Sequence, residues 1–219
     1  MKRYLPFVII AFVAAAAIAG SILFYQATLR AAGGPSNELS ASLVPKALHI
    51  RGNPEAPVTL EEFADFQCPA CSIASGILLV IEKDYGPRLR VIFREFPLAM
   101  HKHGRDAALA AEAASLQGKF WEMHDMLYTN QAEWSDVPNA QPIFNHYAEA
   151  LHLDVDQFER DCRSEKVAER VEADEALGKR LGIENTPTMF VNKERLRPPY
   201  TIEHLHEVIE AALADSHKK

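Results

Sequence analysis

The chain has 219 residues, of which 48% are hydrophobic and 24% are charged, with three cysteines and a formal net charge of −7. Three cysteines exclude a disulfide-rich scaffold, because they form at most one pair and leave one cysteine over. All 30 acidic residues follow position 35, and this acidic body argues against nucleic-acid binding, which needs a basic surface.

The N-terminal segment is the first break in composition. Residues 5–25 are apolar except for one proline, one glycine and one serine. At 1.5 Å per residue they span about 30 Å, the thickness of the hydrocarbon core of a bilayer. Lys2 and Arg3 precede the segment, which favours a cytoplasmic N-terminus. We predict a single-pass anchor over residues 1–30 in the cytoplasmic membrane, with the C-terminal body facing the periplasm or the cell exterior.

A cleaved signal peptide is the alternative interpretation of this segment, with Ala17-Ile18-Ala19 as its cleavage site. The apolar run continues past that site to Tyr25, which favours an uncleaved anchor. In both cases the body of the protein is exported. Residues 31–45 begin with small residues and are expected to form a flexible linker, and residues 46–219 to form the folded domain.

The folded domain is predicted to alternate strands and helices around a block of helices. Strands are expected at 58–66, 89–96 and 188–192, with a short partner at 194–197. Helices are expected from 69 to about 83, at 105–117, 118–128, 139–151 and 154–162, from the N-cap residue Ser164 to residue 182, and after the N-cap residue Thr201. This order predicts an α/β fold with a helical insertion at about 100–182.

The chemistry concentrates at Cys68-Pro69-Ala70-Cys71, between the first predicted strand and its helix. With Cys68 as N-cap and Pro69 at the first helical position, the Cys68 sulfur faces free backbone N–H groups and the positive end of the helix dipole. Both stabilise a thiolate, so the pKa of Cys68 is expected to fall. Cys71, one turn later, is placed to attack a mixed disulfide on Cys68. The pattern therefore predicts a nucleophile and a resolving thiol.

Half of a zinc site is the competing interpretation of such a cysteine pair. The candidates for further ligands are the single Cys162 and the pairs His101/His103 and His204/His206. The histidines are more simply explained as polar residues around a turn and on an exposed helix face, so no metal is predicted. Cys162 is expected to be a buried free thiol, and a regulatory or intermolecular disulfide is the alternative.

Several segments carry a resemblance to a known family. Residues 62–71 (Glu-Phe-Ala-Asp-Phe-Gln-Cys-Pro-Ala-Cys) and residues 186–192 (Thr-Pro-Thr-Met-Phe-Val-Asn) resemble the DsbA-like thiol–disulfide oxidoreductases of the thioredoxin superfamily. Residues 118–125 and 130–134 resemble the family's helical domain, and the resemblance extends over residues 48–214. It implies a membrane-anchored bacterial enzyme with a thioredoxin-like fold, an inserted helical domain and no cofactor.

The resemblance implies roles for the residues of the cysteine motif. Cys68 matches the family's exposed nucleophile and Cys71 its buried partner, and Pro69 and Ala70 belong to the surface that binds substrate. The strongest oxidants of the family have histidine where this chain has Ala70. A polar group there favours the Cys68 thiolate and makes the disulfide more oxidising, so its absence leaves the direction of net electron flow open.

The resemblance also implies roles for residues outside the motif. Pro187 matches a proline whose preceding peptide bond is cis in this superfamily, and Thr186 before it is expected to pair with an extended substrate segment. Glu62 matches a buried acid that moves protons to and from Cys71. An exposed strand carboxylate is the alternative, because Glu61 lies beside it in the sequence. Four aromatic residues are expected in the core: Phe63, Phe66, Phe93 and Phe190.

Three functions follow from these expectations. The leading one is a membrane-tethered oxidase that donates its Cys68–Cys71 disulfide to reduced exported proteins and is reoxidised by a redox partner in the membrane. The second is a reductase or isomerase of the same fold, although the short segment between Pro35 and Pro45 leaves no room for the dimerisation region that isomerases usually have. The third is a binding module in which the cysteine pair is structural.

Overall fold

The computed structural model of the protein describes residues 49–216. The predicted anchor over residues 1–30 and the predicted linker over residues 31–45 lie outside the described residues. Within residues 49–216, no helix combines the length and the apolar character needed to cross a membrane.

In the described part of the chain, five strands form one sheet in the order β1-β3-β2-β4-β5. The strands are β1 (His49–Gly52), β2 (Val58–Ala64), β3 (Leu89–Glu95), β4 (Thr188–Val191) and β5 (Glu194–Arg195). Strand β2 pairs parallel with β3 and antiparallel with β4, while β1 pairs antiparallel with β3 and β5 antiparallel with β4. The parallel pair needs a crossover connection, which the first helix supplies. The fold is α/β with a helical insertion, as predicted.

The helices lie largely where the sequence predicts them. They are α1 (Pro69–Tyr85), α2 (Gly104–Ser115), α3 (Phe120–Thr129), α4 (Gln131–Trp134), α5 (Gln141–Ala150), α6 (Val155–Cys162), α7 (Glu165–Arg180) and α8 (Ile202–Ser216). The predicted N-caps Ser164 and Thr201 are confirmed by side-chain hydrogen bonds. The Ser164 hydroxyl accepts from the Val167 N–H at 3.3 Å, and the Thr201 hydroxyl accepts from the His204 N–H at 3.2 Å.

Two elements, β1 and the four-residue α4, are not predicted from the sequence, so the folded part begins before the first predicted strand. Strand β1 lacks an alternating apolar pattern and depends on distant partners. Its His49 ring nitrogen Nε2 lies 2.6 Å from the Glu112 carboxylate. Strand β2 also ends earlier than predicted, at Ala64, because the Asp65 carboxylate accepts from the Gln67 N–H at 2.8 Å and starts a turn.

The sheet separates two apolar layers. Since side chains alternate along a strand, Val58, Leu60 and Glu62 share the face that packs against α1 and α8. Phe63 lies on the opposite face, with residues of α7. The four predicted core aromatics are all buried: Phe63, Phe66, Phe93 and Phe190. A further apolar cluster fills the helical region between β3 and β4.

Gly178 in α7 tests how tightly this helix packs on the sheet. A Cβ at Gly178 would lie 2.6 Å from Cδ2 of Phe96 and 3.3 Å from Cδ1 of Phe63. We expect Gly178→Ala to lower the free energy of unfolding by about 1–3 kcal/mol, because the ring must move. In the matched control Gly76→Ala, within α1, the new Cβ meets nothing within 4 Å, so a gain of up to about 1 kcal/mol is expected. Denaturant titration measures both, and equal losses in the two variants would contradict this packing.

Candidate active site

The first turn of α1 positions the two cysteines. Cys68 is the N-cap residue, with φ −75° and ψ 121°, and Pro69 occupies the first helical position. The Cys68 carbonyl accepts from the N–H groups of Cys71 and Ser72 at 3.1 and 3.2 Å. Cys68 is 6% exposed and Cys71 is fully buried, and both are free thiols. Pro69 and the neighbouring Ala70 are exposed. Cys68 is therefore less exposed than the resemblance implies for the nucleophile, but it keeps a small accessible area, while Cys71 is enclosed.

Hydrogen bonds lower the pKa of Cys68 to about 5. The largest contribution comes from the Cys71 thiol, which donates to the Cys68 thiolate, and the backbone N–H groups of Cys71 and Ala70 act in the same direction against desolvation. When Cys68 is a thiol, its sulfur donates to the Thr186 carbonyl oxygen at 3.4 Å. Cys68 is therefore a thiolate at neutral pH, which is the reactive form in thiol–disulfide exchange.

The pKa of the enclosed Cys71 sulfur is shifted in the opposite direction. Burial raises the pKa of the Cys71 thiol far above its usual value, and the hydrogen bond to Cys68 and the charge of Glu62 raise it further. A buried thiolate is costly because no water solvates its charge. Cys71 is therefore held as a thiol.

Glu62 is a buried carboxyl group whose charge interacts with both cysteines. It is 1% exposed, and burial raises the pKa of Glu62 to about 8, with the charges of Cys68 and Glu82 adding to the effect. Its Oε1 has no hydrogen-bond partner among the described residues. Glu61, on the other face of β2, accepts from Arg94 Nε at 2.7 Å. Of the two adjacent glutamates, the structure therefore places Glu62 close to the cysteine pair.

Residues of the loop before β4 complete the surroundings of Cys68. The Thr186–Pro187 peptide bond is cis, and both residues are partly exposed. Although they lie more than a hundred residues after Cys68 in the chain, the antiparallel pairing of β4 with β2, which places Thr188 opposite Phe63, brings them to the start of α1. The predicted residues of the cysteine motif, Glu62 and this loop thus form one site.

Side-chain amides that the sequence interpretation missed hold the loop before α1. Gln131 Nε2 donates to the carbonyl oxygens of Phe66 and Cys68 at 2.6 and 3.0 Å. Gln67 Nε2 donates to the Ser135 carbonyl oxygen at 2.8 Å. These three bonds tie the active-site loop to the region around α4. A glutamine that bonds a distant backbone carbonyl has no spacing signal in the sequence, so these contacts are visible only in the fold.

The histidines and Cys162 that the sequence offers as possible zinc ligands make other contacts in the structure. Among residues 49–216, no three His, Cys, Asp or Glu side chains are grouped to hold a metal ion. His101 Nδ1 lies 2.7 Å from the Asp65 carboxylate, and His206 Nδ1 lies 2.9 Å from the Tyr85 hydroxyl. Cys162 is buried and free, and burial raises its pKa to about 12, so it is a weak nucleophile at neutral pH.

Comparisons with known sequences place the chain in a family. The family model Thioredoxin_4, described as thioredoxin, matches residues 45–211. Among curated proteins, the chain is 41% identical over 172 residues to a Mycolicibacterium gilvum protein named Na(+)/H(+) antiporter NhaA 1. That match covers 76% of this chain and 27% of the relative, so the chain spans about a quarter of the relative's length.

Solved structures show the same fold with DsbA-like proteins among them. A thioredoxin-like oxidoreductase from Silicibacter pomeroyi is 28% identical, with a TM-score of 0.66, and the match covers 81% of this chain and 97% of that one. The alpha-DsbA1 protein of Wolbachia pipientis matches with a TM-score of 0.70 at 23% identity, covering 83% of this chain and 98% of that one. The fold is thioredoxin-like.

The hydrogen bond from Cys71 to Cys68 is testable by replacing its donor. We expect Cys71→Ala to raise the Cys68 pKa above about 5, because the largest stabilising contact is lost, whereas Cys71→Ser keeps an O–H donor and shifts it less. The pH dependence of thiolate ultraviolet absorbance measures both values. Because the folded pKa lies below the unfolded value near 9.0, Cys68 stabilises the reduced protein above that pH, and this contribution is lost as the pH falls towards 5. Identical pKa values in the two variants would show that the Cys71 donor is not the cause.

Proposed function

This chain belongs to the thioredoxin family, and we propose that it is a protein thiol oxidase that introduces disulfides into exported proteins. The observation that carries the proposal is the contrast between the two cysteines, with a thiolate favoured at Cys68 and a thiol at Cys71. Stabilising one thiolate stabilises the reduced pair, and a pair that is stable when reduced is oxidising when it is a disulfide.

Oxidation of a substrate then proceeds by two exchanges. A substrate thiolate attacks Cys68 Sγ of the Cys68–Cys71 disulfide, and Cys71 leaves with the bonding electrons and takes a proton from Glu62. A second substrate thiolate attacks the substrate sulfur of the mixed disulfide, and Cys68 leaves as its stable thiolate. The substrate has lost two electrons and gained a disulfide, and the cysteine pair is reduced. A redox partner in the membrane accepts these two electrons and restores the disulfide.

The surface around Cys68 suits an unfolded polypeptide. Pro69, Ala70 and Ile73 are exposed next to the sulfur, and Ile73 is 69% exposed. Such an apolar patch favours contact with side chains that a folded substrate would bury. Beside it, the backbone of Thr186 is proposed to bind the segment that flanks the substrate cysteine, as an added strand.

The value of the Cys68 pKa favours an oxidant of intermediate strength. At about 5 it lies between about 3.5 for DsbA and about 7 for thioredoxin. Ala70 offers no polar group to the thiolate, so the stabilisation comes from Cys71 and the helix start. A reductase of the same fold is the second candidate, and the absence of a polar side chain at position 70 is the feature in its favour.

Ion transport, which the names of the curated relatives indicate, is not proposed for this chain. The matched region makes up 27% of the Mycolicibacterium protein, and ion transport is stated of that whole protein. The match supports a different proposal, since an antiporter works in a membrane: this redox domain is held at a membrane by the apolar segment at residues 5–25.

The reduction potential decides between the two candidate directions. We expect the full chain, equilibrated with glutathione, to have a potential of about −120 to −180 mV, the range between DsbA and protein disulfide isomerase. We also expect Cys68→Ser to abolish disulfide formation in a reduced model protein. A potential of about −270 mV, as in thioredoxin, would indicate a reductase. Unchanged thiol oxidation by Cys68→Ser would contradict the catalytic assignment.

Retention of the anchor is tested separately. We expect the mature protein in the membrane fraction to keep its N-terminal residues, and mass spectrometry of the intact protein to give the mass of the uncleaved chain. A protease added outside the cell membrane should digest the domain, because the domain is proposed to face outwards. A mature chain that starts after Ala19 would show instead that the segment is a cleaved signal peptide.

A further inference from the structure

A narrow cavity lies between the sheet and α1 and joins two carboxylates. Glu62 and Glu82 both line it, together with Arg51, Ser75 and His124 and apolar residues of the core. It has room of about 10 Å³ for the centre of a water molecule, which is near the minimum for one water. Its polar walls offer the hydrogen-bond partners that such a buried water requires.

Glu62, the proposed proton donor to Cys71, lies at the inner end of the cavity. Glu62 is fully enclosed, and its Oε1 is without a hydrogen-bond partner in the described part of the chain. A carboxyl group that gives its proton to Cys71 must regain one before the next cycle. Since Glu62 has almost no exposed surface, that proton has to pass through another group or a buried water.

The outer end of the cavity reaches the protein surface. The side chain of Glu82 is 18% exposed and lies 3.8 Å from Arg51 Nε. Arg51 is held in turn by Asp125 at 2.7 Å, and its guanidinium group lies 4.2 Å from the centre of the Trp121 ring. Burial raises the pKa of Glu82 to about 7, although Arg51 opposes the rise. Glu82 therefore takes up and releases protons near neutral pH.

The neighbouring titratable groups on α3 do not compete with Glu82 for this role. Burial lowers the pKa of His124, so its imidazole stays neutral in the neutral range. The pKa of Asp125 is lowered despite burial, by hydrogen bonds from His124 and Arg51, so it stays a carboxylate. Of the charged and titratable side chains that face Glu82 from β1, β2 and α3, Glu62 remains the partner whose protonation changes with the cysteine chemistry.

We propose that Glu82 is a positioning residue for proton transfer: it is the outer group of a path that links Cys71 to solvent through Glu62 and a water in the cavity. The path rests on the proposed function. When a substrate opens the disulfide, Cys71 takes the proton of Glu62, and Glu62 regains a proton from Glu82 through the water. When Cys71 attacks a mixed disulfide during reoxidation, its proton moves outwards along the same groups.

The outward direction is measured by mixing the reduced full chain with excess oxidised glutathione. A first, concentration-dependent phase forms the Cys68–glutathione disulfide, and a second, concentration-independent phase is the attack of Cys71. We expect Glu82→Gln to slow the second phase by about tenfold or more near pH 7, in the range of one proton-transfer group, with little change in the redox equilibrium. Added acetate should restore part of the rate, because a small acid can replace the missing carboxyl group.

Two further variants separate proton transfer from a structural effect. Glu122→Gln, at an exposed carboxylate of α3 paired with Lys119 at 2.8 Å, should leave the second phase unchanged. Arg51→Gln should move the midpoint of the pH profile of this phase to higher pH, because Arg51 favours the carboxylate form of Glu82. A purely structural role of Glu82 would not move that midpoint.

Three results would contradict the proposed proton path or the function on which it rests. If Glu82→Gln reacts like the unmodified protein while Glu62→Gln is slow, the proton leaves by another route and the assignment of Glu82 is wrong. If Glu82→Gln is slow at every pH and acetate restores nothing, its effect is structural and the path is also overturned. If the unmodified protein shows no second phase that depends on Cys71, the proposed function fails first.

Discussion

The complete burial of Cys71 is the constraint on which the rest of the site depends. An enclosed sulfur keeps its proton, so it can donate that proton in a hydrogen bond to Cys68 and stabilise the thiolate there. In the proposed oxidation, Cys71 leaves a disulfide and must become a thiol, so the same burial favours an internal acid, and Glu62 is the enclosed carboxyl group whose charge interacts with this sulfur. The burial of this one sulfur thus lowers the pKa of Cys68 and makes a nearby proton donor such as Glu62 useful to the proposed reaction.

The fold meets this constraint by bringing distant parts of the chain to one short loop. Strand β2 supplies Glu62, and the turn after it is closed by Asp65, whose carboxylate accepts from the N–H groups of Gln67 and Leu98 at 2.8 and 2.7 Å. From the helical region, Gln131 holds the carbonyl oxygen of Cys68 itself. The N-terminal turn of α1 is therefore fixed from both sides, and a fixed helix start keeps its N–H groups directed at the sulfur.

Much of this arrangement was predictable, because its signals are local. The strand before Cys68, Pro69 at the first helical position and the caps at Ser164 and Thr201 depend on neighbours along the chain. The contacts of β1, Gln131 and Glu82 depend on residues that are remote in sequence. A short strand such as β1 depends on its pairing with β3 and on the contact between His49 and Glu112, and a partly buried glutamate of α1 looks like any other helical glutamate until the cavity beside it is known. Whether Glu61 or Glu62 is buried likewise needed the register of β2 in the sheet.

The source of the thiolate stabilisation also bears on the direction of the chemistry. Where the residue between Pro69 and Cys71 is polar, an exposed side chain helps to stabilise the sulfur, and solvent and salt weaken that help. Here position 70 is an exposed alanine, and the donors are the enclosed Cys71 thiol and the backbone N–H groups of the first turn. Hydrogen bonds in a low-dielectric interior are stronger than those at the surface. The chain therefore reaches a depressed Cys68 pKa from within its own fold, so the loss of the polar side chain at position 70 does not by itself make the pair a reductant.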